Sequence, residues 1–97
     1  MTIEPIQVRT IGSIGTQWLY RFPNGYGASV IDCGYGSKDG LLELSMLLYY
    51  GEPNTHHRQI YHEIVNHDVL GWLNDIDLQL ALEDIKALPA HHVPAKG

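Results

Sequence analysis

A single cysteine, Cys33, is the whole thiol inventory of this 97-residue chain. It excludes an internal disulfide and a cysteine-rich zinc cluster, and it fits a reducing compartment. Positive charge is also scarce: six Lys and Arg stand against eleven Asp and Glu, a formal net charge of −5. That balance disfavours direct binding to nucleic acid, whose phosphates need a basic surface. Long hydrophobic runs are missing too. The longest apolar stretch, Leu41 to Tyr50, is interrupted by Glu43 and Ser45. It falls short of the roughly 18 residues that a membrane span requires. Near the start, Glu4 stands where a secretory leader would be basic, and no apolar segment follows it. The expectation is a cytoplasmic protein with no membrane contact.

What is present is enough for one core. Hydrophobic residues make up 44% and charged residues only 18%, a globular rather than a disordered composition. The length suits a single domain, expected over residues 1–90 with a flexible C-terminal tail over 91–97. To about Tyr50 the chain is rich in β-branched residues, aromatics and glycine; beyond it, in leucine and acids. Strands first and helices last is the α+β order.

Ile6 to Ile11 predicts a short strand, followed by a turn at Gly12-Ser13-Ile14-Gly15. From Thr16 to Phe22 the residues alternate, with Trp18, Tyr20 and Phe22 on one side and Gln17, Leu19 and Arg21 on the other. Pro23-Asn24-Gly25-Tyr26-Gly27 has turn chemistry: proline fixes φ, and Asn-Gly tolerates positive φ. Ala28 to Cys33 is then the return strand of a hairpin, with Cys33 a small core residue near its end. Leu41 to Tyr50 fits helix or strand. The glycine-rich loop before it and Gly51-Glu52-Pro53-Asn54 after it favour a strand, with Ile60 to Val65 as its partner.

Helices are expected from there on. His67 to Leu73 predicts a short one. Asn74 caps a longer one, with Asp77 in its first turn. Leu78, Leu82, Ile85 and Leu88 share one face of it, and Pro89 closes it. Ile76 to Leu82 also alternates as a strand would. The architecture expected is an antiparallel β-meander of about four strands, with one or two C-terminal helices packed on one face. Trp18, Phe22, Val30, Leu44, Leu70, Leu82 and Ile85 are the expected core.

Few constellations point to chemistry. Six histidines, His56, His57, His62, His67, His91 and His92, suggest a metal. Yet His57, His62 and His67 are five apart, a spacing that aligns neither on a helix nor on one strand face. They read as loop and surface residues, and no metal or other cofactor is implied. Gly12-Ser13-Ile14-Gly15 lacks the Gly-Lys-Ser/Thr ending of a phosphate loop. No nucleophile motif or carboxylate pair stands out, so the chain is read as not an enzyme. Six acids, Glu63, Asp68, Asp75, Asp77, Glu83 and Asp84, lie between Arg58 and Lys86 with no Lys or Arg among them. They are either a solvated face that keeps the protein soluble or a surface for a basic partner. Tyr26 and Tyr35, each flanked by glycines, are read as loop tyrosines, where aromatic contacts are common.

The stretch Trp18-Leu-Tyr-Arg-Phe-Pro-Asn-Gly-Tyr-Gly-Ala-Ser-Val30 resembles a segment of small, uncharacterised proteins encoded by bacteriophages and prophages. Gly-Leu-Leu-Glu-Leu at 40–44 and Asp68-Val-Leu-Gly-Trp-Leu73 extend the resemblance, to about two-thirds of the chain. It implies a phage accessory gene product and carries over no site. The histidine-rich connection at 55–67 is not part of it.

The function expected is therefore a small acidic protein-binding module, a phage-encoded modulator or inhibitor of a host or defence complex in the anti-CRISPR manner. Its partner would be a protein with a basic surface, met through Tyr26, Tyr35, Asp77, Glu83 and Asp84. The alternatives are a virion or assembly accessory acting as a homo-oligomer, and a small enzyme or metal-binding protein.

Overall fold

The structure, a computed structural model, describes residues 2–33, 41–50, 56–60 and 69–90. Its elements run β1 (Gln7–Ile11), β2 (Gly15–Arg21), β3 (Tyr26–Ile31), β4 (Leu42–Tyr50), β5 (His56–Gln59), β6 (Val69–Leu73) and α1 (Asp75–Lys86). The first five strands form an antiparallel meander in chain order, curved into a half-barrel, and α1 packs on one face. The expected α+β meander with a C-terminal helix is the fold. Among the described residues no helix is long and apolar enough to cross a membrane.

β4 organises the sheet. One edge pairs with β3, with Val30 opposite Leu44 and Ala28 opposite Met46. The other edge is divided. Its C-terminal half takes β5, with Tyr49 opposite His57, and its N-terminal half takes β6, with Ser45 opposite Val69. The Ile60 amide donates to the Met46 carbonyl at 3.0 Å. Ile60 and Val69 thus stand at successive positions along the same edge.

This differs from two expectations. Residues 69–73 form a strand rather than a helix. The N-terminal half of this β4 edge offers ladder bonds to Val69–Leu73, and Gly71 lies where the pairing register shifts, a place that suits glycine. The strand paired with β4 after the hairpin is His56–Gln59, earlier than expected. Its residues have little strand preference, so the pairing with β4 decides. The expected strand positions 61–65, the loop 34–40 and the tail 91–97 lie outside the described residues.

Alternation gives the sheet two unlike faces. Toward α1 point Tyr20, Phe22, Ala28, Val30, Leu44 and Met46, which bury Leu78, Leu82 and Ile85 of the helix. Of the expected core, Phe22, Val30, Leu44, Leu82 and Ile85 are buried, and Trp18 packs half-buried at the margin. The side chain of Leu70 lies outside what the structure describes. The opposite face carries a smaller buried group, Leu19, Leu47 and Tyr49.

Turns and caps hold the helix to the sheet. Gly25 takes φ 91° in the β2–β3 turn, closed by Gly25 N–H to the Phe22 carbonyl at 3.1 Å. At the helix start, the Asn74 side chain accepts the Asp77 amide at 2.7 Å. At its end, Asn24 in the turn reaches across. Its Nδ2 donates to the carbonyls of Ile85 at 2.8 Å, Leu88 at 3.1 Å and Lys86 at 3.2 Å, while its Oδ1 accepts the Tyr26 amide at 3.0 Å. Helix-terminal carbonyls have no partner within the helix, so a side chain from another element serves them. Asn24→Ala should therefore cost about 2 kcal/mol in chemical denaturation. Asn24→Asp should do no better, because it loses the donor and sets a negative charge at the negative end of the helix dipole. A stability unchanged in both variants would show that the turn does not cap α1.

Candidate functional site

The outward side of α1 is unusual for a small domain. Leu78, Leu82 and Ile85 fill the core, yet Ile76 is 72% exposed and Leu80 61% exposed. One turn apart, they form an apolar ridge along the solvent side. Asp77 and Asp84, two turns apart, line one flank of the ridge. Glu83 lies on the other flank with Asp75 and Gln79. A shallow depression of about 450 Å³ runs there, between Asp75, Ile76, Gln79, Leu80 and Glu83.

Asp75 and Gln79 also border a larger cleft of about 620 Å³ between the helix start and the sheet. Its walls include Val8, Trp18, Tyr20 and Leu42, with Glu4 at the rim. The helix does not extend over β1, so Val8 stays 55% exposed and Trp18 half-buried. The N-terminal residues lie alongside the helix. The Ile3 amide donates to Gln79 Oε1 at 2.8 Å, and Gln79 Nε2 faces the Ile3 carbonyl at 3.5 Å. Burial pushes the Tyr20 hydroxyl pKa up, and the Glu4 carboxylate raises it further. Cleft and ridge make one continuous surface. Glu4, Asp75, Asp77, Glu83 and Asp84 supply its charge, and Trp18, Ile76 and Leu80 its apolar contact area.

The sequence-predicted residues separate on the structure. Asp77, Glu83 and Asp84 are all exposed on α1 and divide between its two flanks. Tyr26 is not in a loop. It opens β3 and sits half-buried against the helix-side core. Tyr35 lies outside the described residues. Ile76 and Leu80 fall outside the apolar stripe of Leu78, Leu82, Ile85 and Leu88 that the sequence predicts. The signal was the alternation Ile76, Leu78, Leu80, Leu82. On a helix, alternate residues fall on nearly opposite sides, so such a run places apolar side chains both in the core and in solvent.

The sheet face away from α1 is polar around its small core. The Arg9 guanidinium donates to Gln17 Oε1 through Nη2 at 2.8 Å and Nε at 3.1 Å, and Gln17 Nε2 donates to Ser29 Oγ at 2.8 Å. His56 and His57 lie on β5, stacked near Tyr50 and tilted against Tyr49 respectively. Among the described residues no three His, Cys, Asp or Glu side chains group as metal ligands. His62, His67, His91 and His92 lie outside those residues. Cys33 is free and half-buried. No protein-family model, curated protein or solved structure matches the chain.

Proposed function

We propose that this chain is a non-enzymatic protein-binding module that engages a basic partner through the outer surface of α1. The finer reading is that of a phage-encoded modulator of a host or defence complex, as the Trp18–Val30 resemblance implies. The observation that carries the proposal is the Ile76–Leu80 ridge, exposed and bordered by carboxylates on both flanks. An apolar centre with a charged rim is the anatomy of a binding patch. The centre supplies affinity, and the rim supplies orientation and a fast approach. Lys86 at the end of the helix is the lone cation on α1.

The test is affinity purification of the tagged chain from its host cells, with two variants in parallel. Ile76→Ser with Leu80→Ser should lose the partner, at a cost of roughly a hundredfold in affinity from faster dissociation. Asp77→Asn, Glu83→Gln and Asp84→Asn together should retain the fold and slow association, most visibly at low salt. Tyr26→Ala, run beside them, asks whether the β3 end contributes contact. A partner held equally by both surface variants would place the interface elsewhere. An acidic partner would refute the charge argument.

One observation favours self-association as a second reading. Among the described residues β1 is an edge strand, with Val8 and the neighbouring Ile6 more than half exposed. Unpaired edges template pairing with another strand. Sedimentation of the purified chain as a strict monomer at high concentration would remove this reading.

A further inference from the structure

The cleft between the helix start and the sheet joins uncovered aromatic surface to charge of one sign. Val8 of β1 and Trp18 of β2 stand opposite each other in the ladder, on the sheet face that carries α1. The helix leaves both partly open, and the buried Tyr20 and Leu78 line the cleft beside them. Glu4 and Asp75, both exposed, supply its charge. Among the described residues that line it, none is Lys or Arg. The field of Glu4 reaches the buried wall: burial raises the pKa of the Tyr20 hydroxyl, and the Glu4 carboxylate raises it further. Walls of low polarity focus such a field inside a cleft, where it attracts the opposite charge. At about 620 Å³, the space falls within the roughly 300–1,000 Å³ of ordinary ligand pockets.

We propose that this cleft receives an arginine side chain of the basic partner, with the guanidinium beside the Trp18 ring and its charge met by Glu4 and Asp75. The inference rests on the reading of α1 as a docking surface, and it names the group that the partner inserts next to the ridge. A guanidinium is planar and weakly hydrated, so it stacks on an indole and pairs with carboxylates at little desolvation cost. Its apolar stem covers Val8 and Leu42 on the way in. An ammonium is a compact, strongly hydrated charge and gains less from an aromatic wall. A second copy of this chain is a poor source of the cation, because two bodies of net charge −5 repel each other. Arginine is also among the residues that most often anchor protein interfaces.

The experiment titrates the full chain at low salt with N-acetyl-arginine amide, N-acetyl-lysine amide and N-acetyl-leucine amide. NMR follows the Trp18 indole N–H and the Val8 and Asp75 amides. The arginine probe should saturate these signals in the millimolar range, at least about threefold tighter than the lysine probe. Glu4→Gln with Asp75→Asn, both at exposed positions, should keep the fold and weaken the arginine probe about tenfold. Trp18→Leu, which keeps an apolar side chain at the sheet margin, should weaken it about fivefold. Ile76→Ser with Leu80→Ser should leave the probe unaffected, since neither residue lines the cleft. Arginine affinity unchanged by the carboxylate pair overturns the proposal. So does a leucine probe that binds as tightly, which marks a purely apolar groove, or a lysine probe that binds tighter. If no probe saturates while the ridge variant still loses the partner, the arginine site falls and the docking reading stands. If the arginine probe saturates but the partner ignores the ridge, the docking reading falls, and with it the assignment of the arginine to that partner.

Discussion

Replacing Phe22 with alanine is expected to destabilise the domain by about 3–5 kcal/mol. Phe22 follows β2 and is 6% exposed, in the core with Tyr20, Val30, Leu44, Leu82 and Ile85. It sits where the β2–β3 turn meets the end of α1. Its ring therefore packs sheet and helix together next to the Asn24 cap. Removing the ring forfeits its transfer free energy and leaves a cavity. The backbone cannot collapse into that cavity, because the Phe22 amide is bonded to the Tyr26 carbonyl and its carbonyl to the Gly25 amide. Domains of this size are stable by only about 5–15 kcal/mol, so the loss is a large share. Urea denaturation followed by tryptophan fluorescence measures it: the midpoint should fall by roughly 2–3 M for a slope near 1.5 kcal/mol/M. An unchanged midpoint would mean that Phe22 faces solvent and that the two sides of β2 are reversed.

The helix-side core could be read in the sequence because strict alternation at Trp18, Tyr20 and Phe22 leaves only the choice of face. Pro23-Asn24-Gly25 marked the turn, and Asn74 with Asp77 marked the helix start, since both signals are local. The remote work of Asn24 was not legible. Nothing in a turn motif says which helix end will come to rest against it. The division of one β4 edge between β5 and β6 was hidden for the same reason: pairing is a property of two distant segments. The second core left a trace that could have been used. Leu47-Leu48-Tyr49-Tyr50 is apolar without alternation, the mark of a strand buried on both sides. Its meeting with Leu19 of β2 was not legible, because residues of two different strands share no spacing in the chain.

Gly27→Ala is the second large effect expected, a loss of about 3 kcal/mol. At a strand position with ordinary φ, exchanging glycine for alanine commonly stabilises by about 0.4–1 kcal/mol, so the sign itself is diagnostic. Gly27 in β3 lies opposite Leu47 of β4 and Arg21 of β2. A methyl group there would run into the Tyr20 backbone carbonyl, and it would stand 2.6 Å from Cε2 of Tyr49. The carbonyl belongs to a central strand paired on both sides and cannot retreat without breaking the ladder. The ring can move only by leaving its place beside Leu19 and Leu47. Glycine is thus the residue that lets the Tyr49 ring lie against the sheet. Thermal and urea denaturation of Gly27→Ala, Tyr49→Ala and the double variant separate the two obstacles. If the ring carries part of the clash, the double variant should be more stable than the sum of the single losses predicts, by more than about 0.5 kcal/mol. Strict additivity would assign the whole penalty to the Tyr20 carbonyl. A Gly27→Ala chain as stable as the parent would show that Tyr49 does not rest on Gly27.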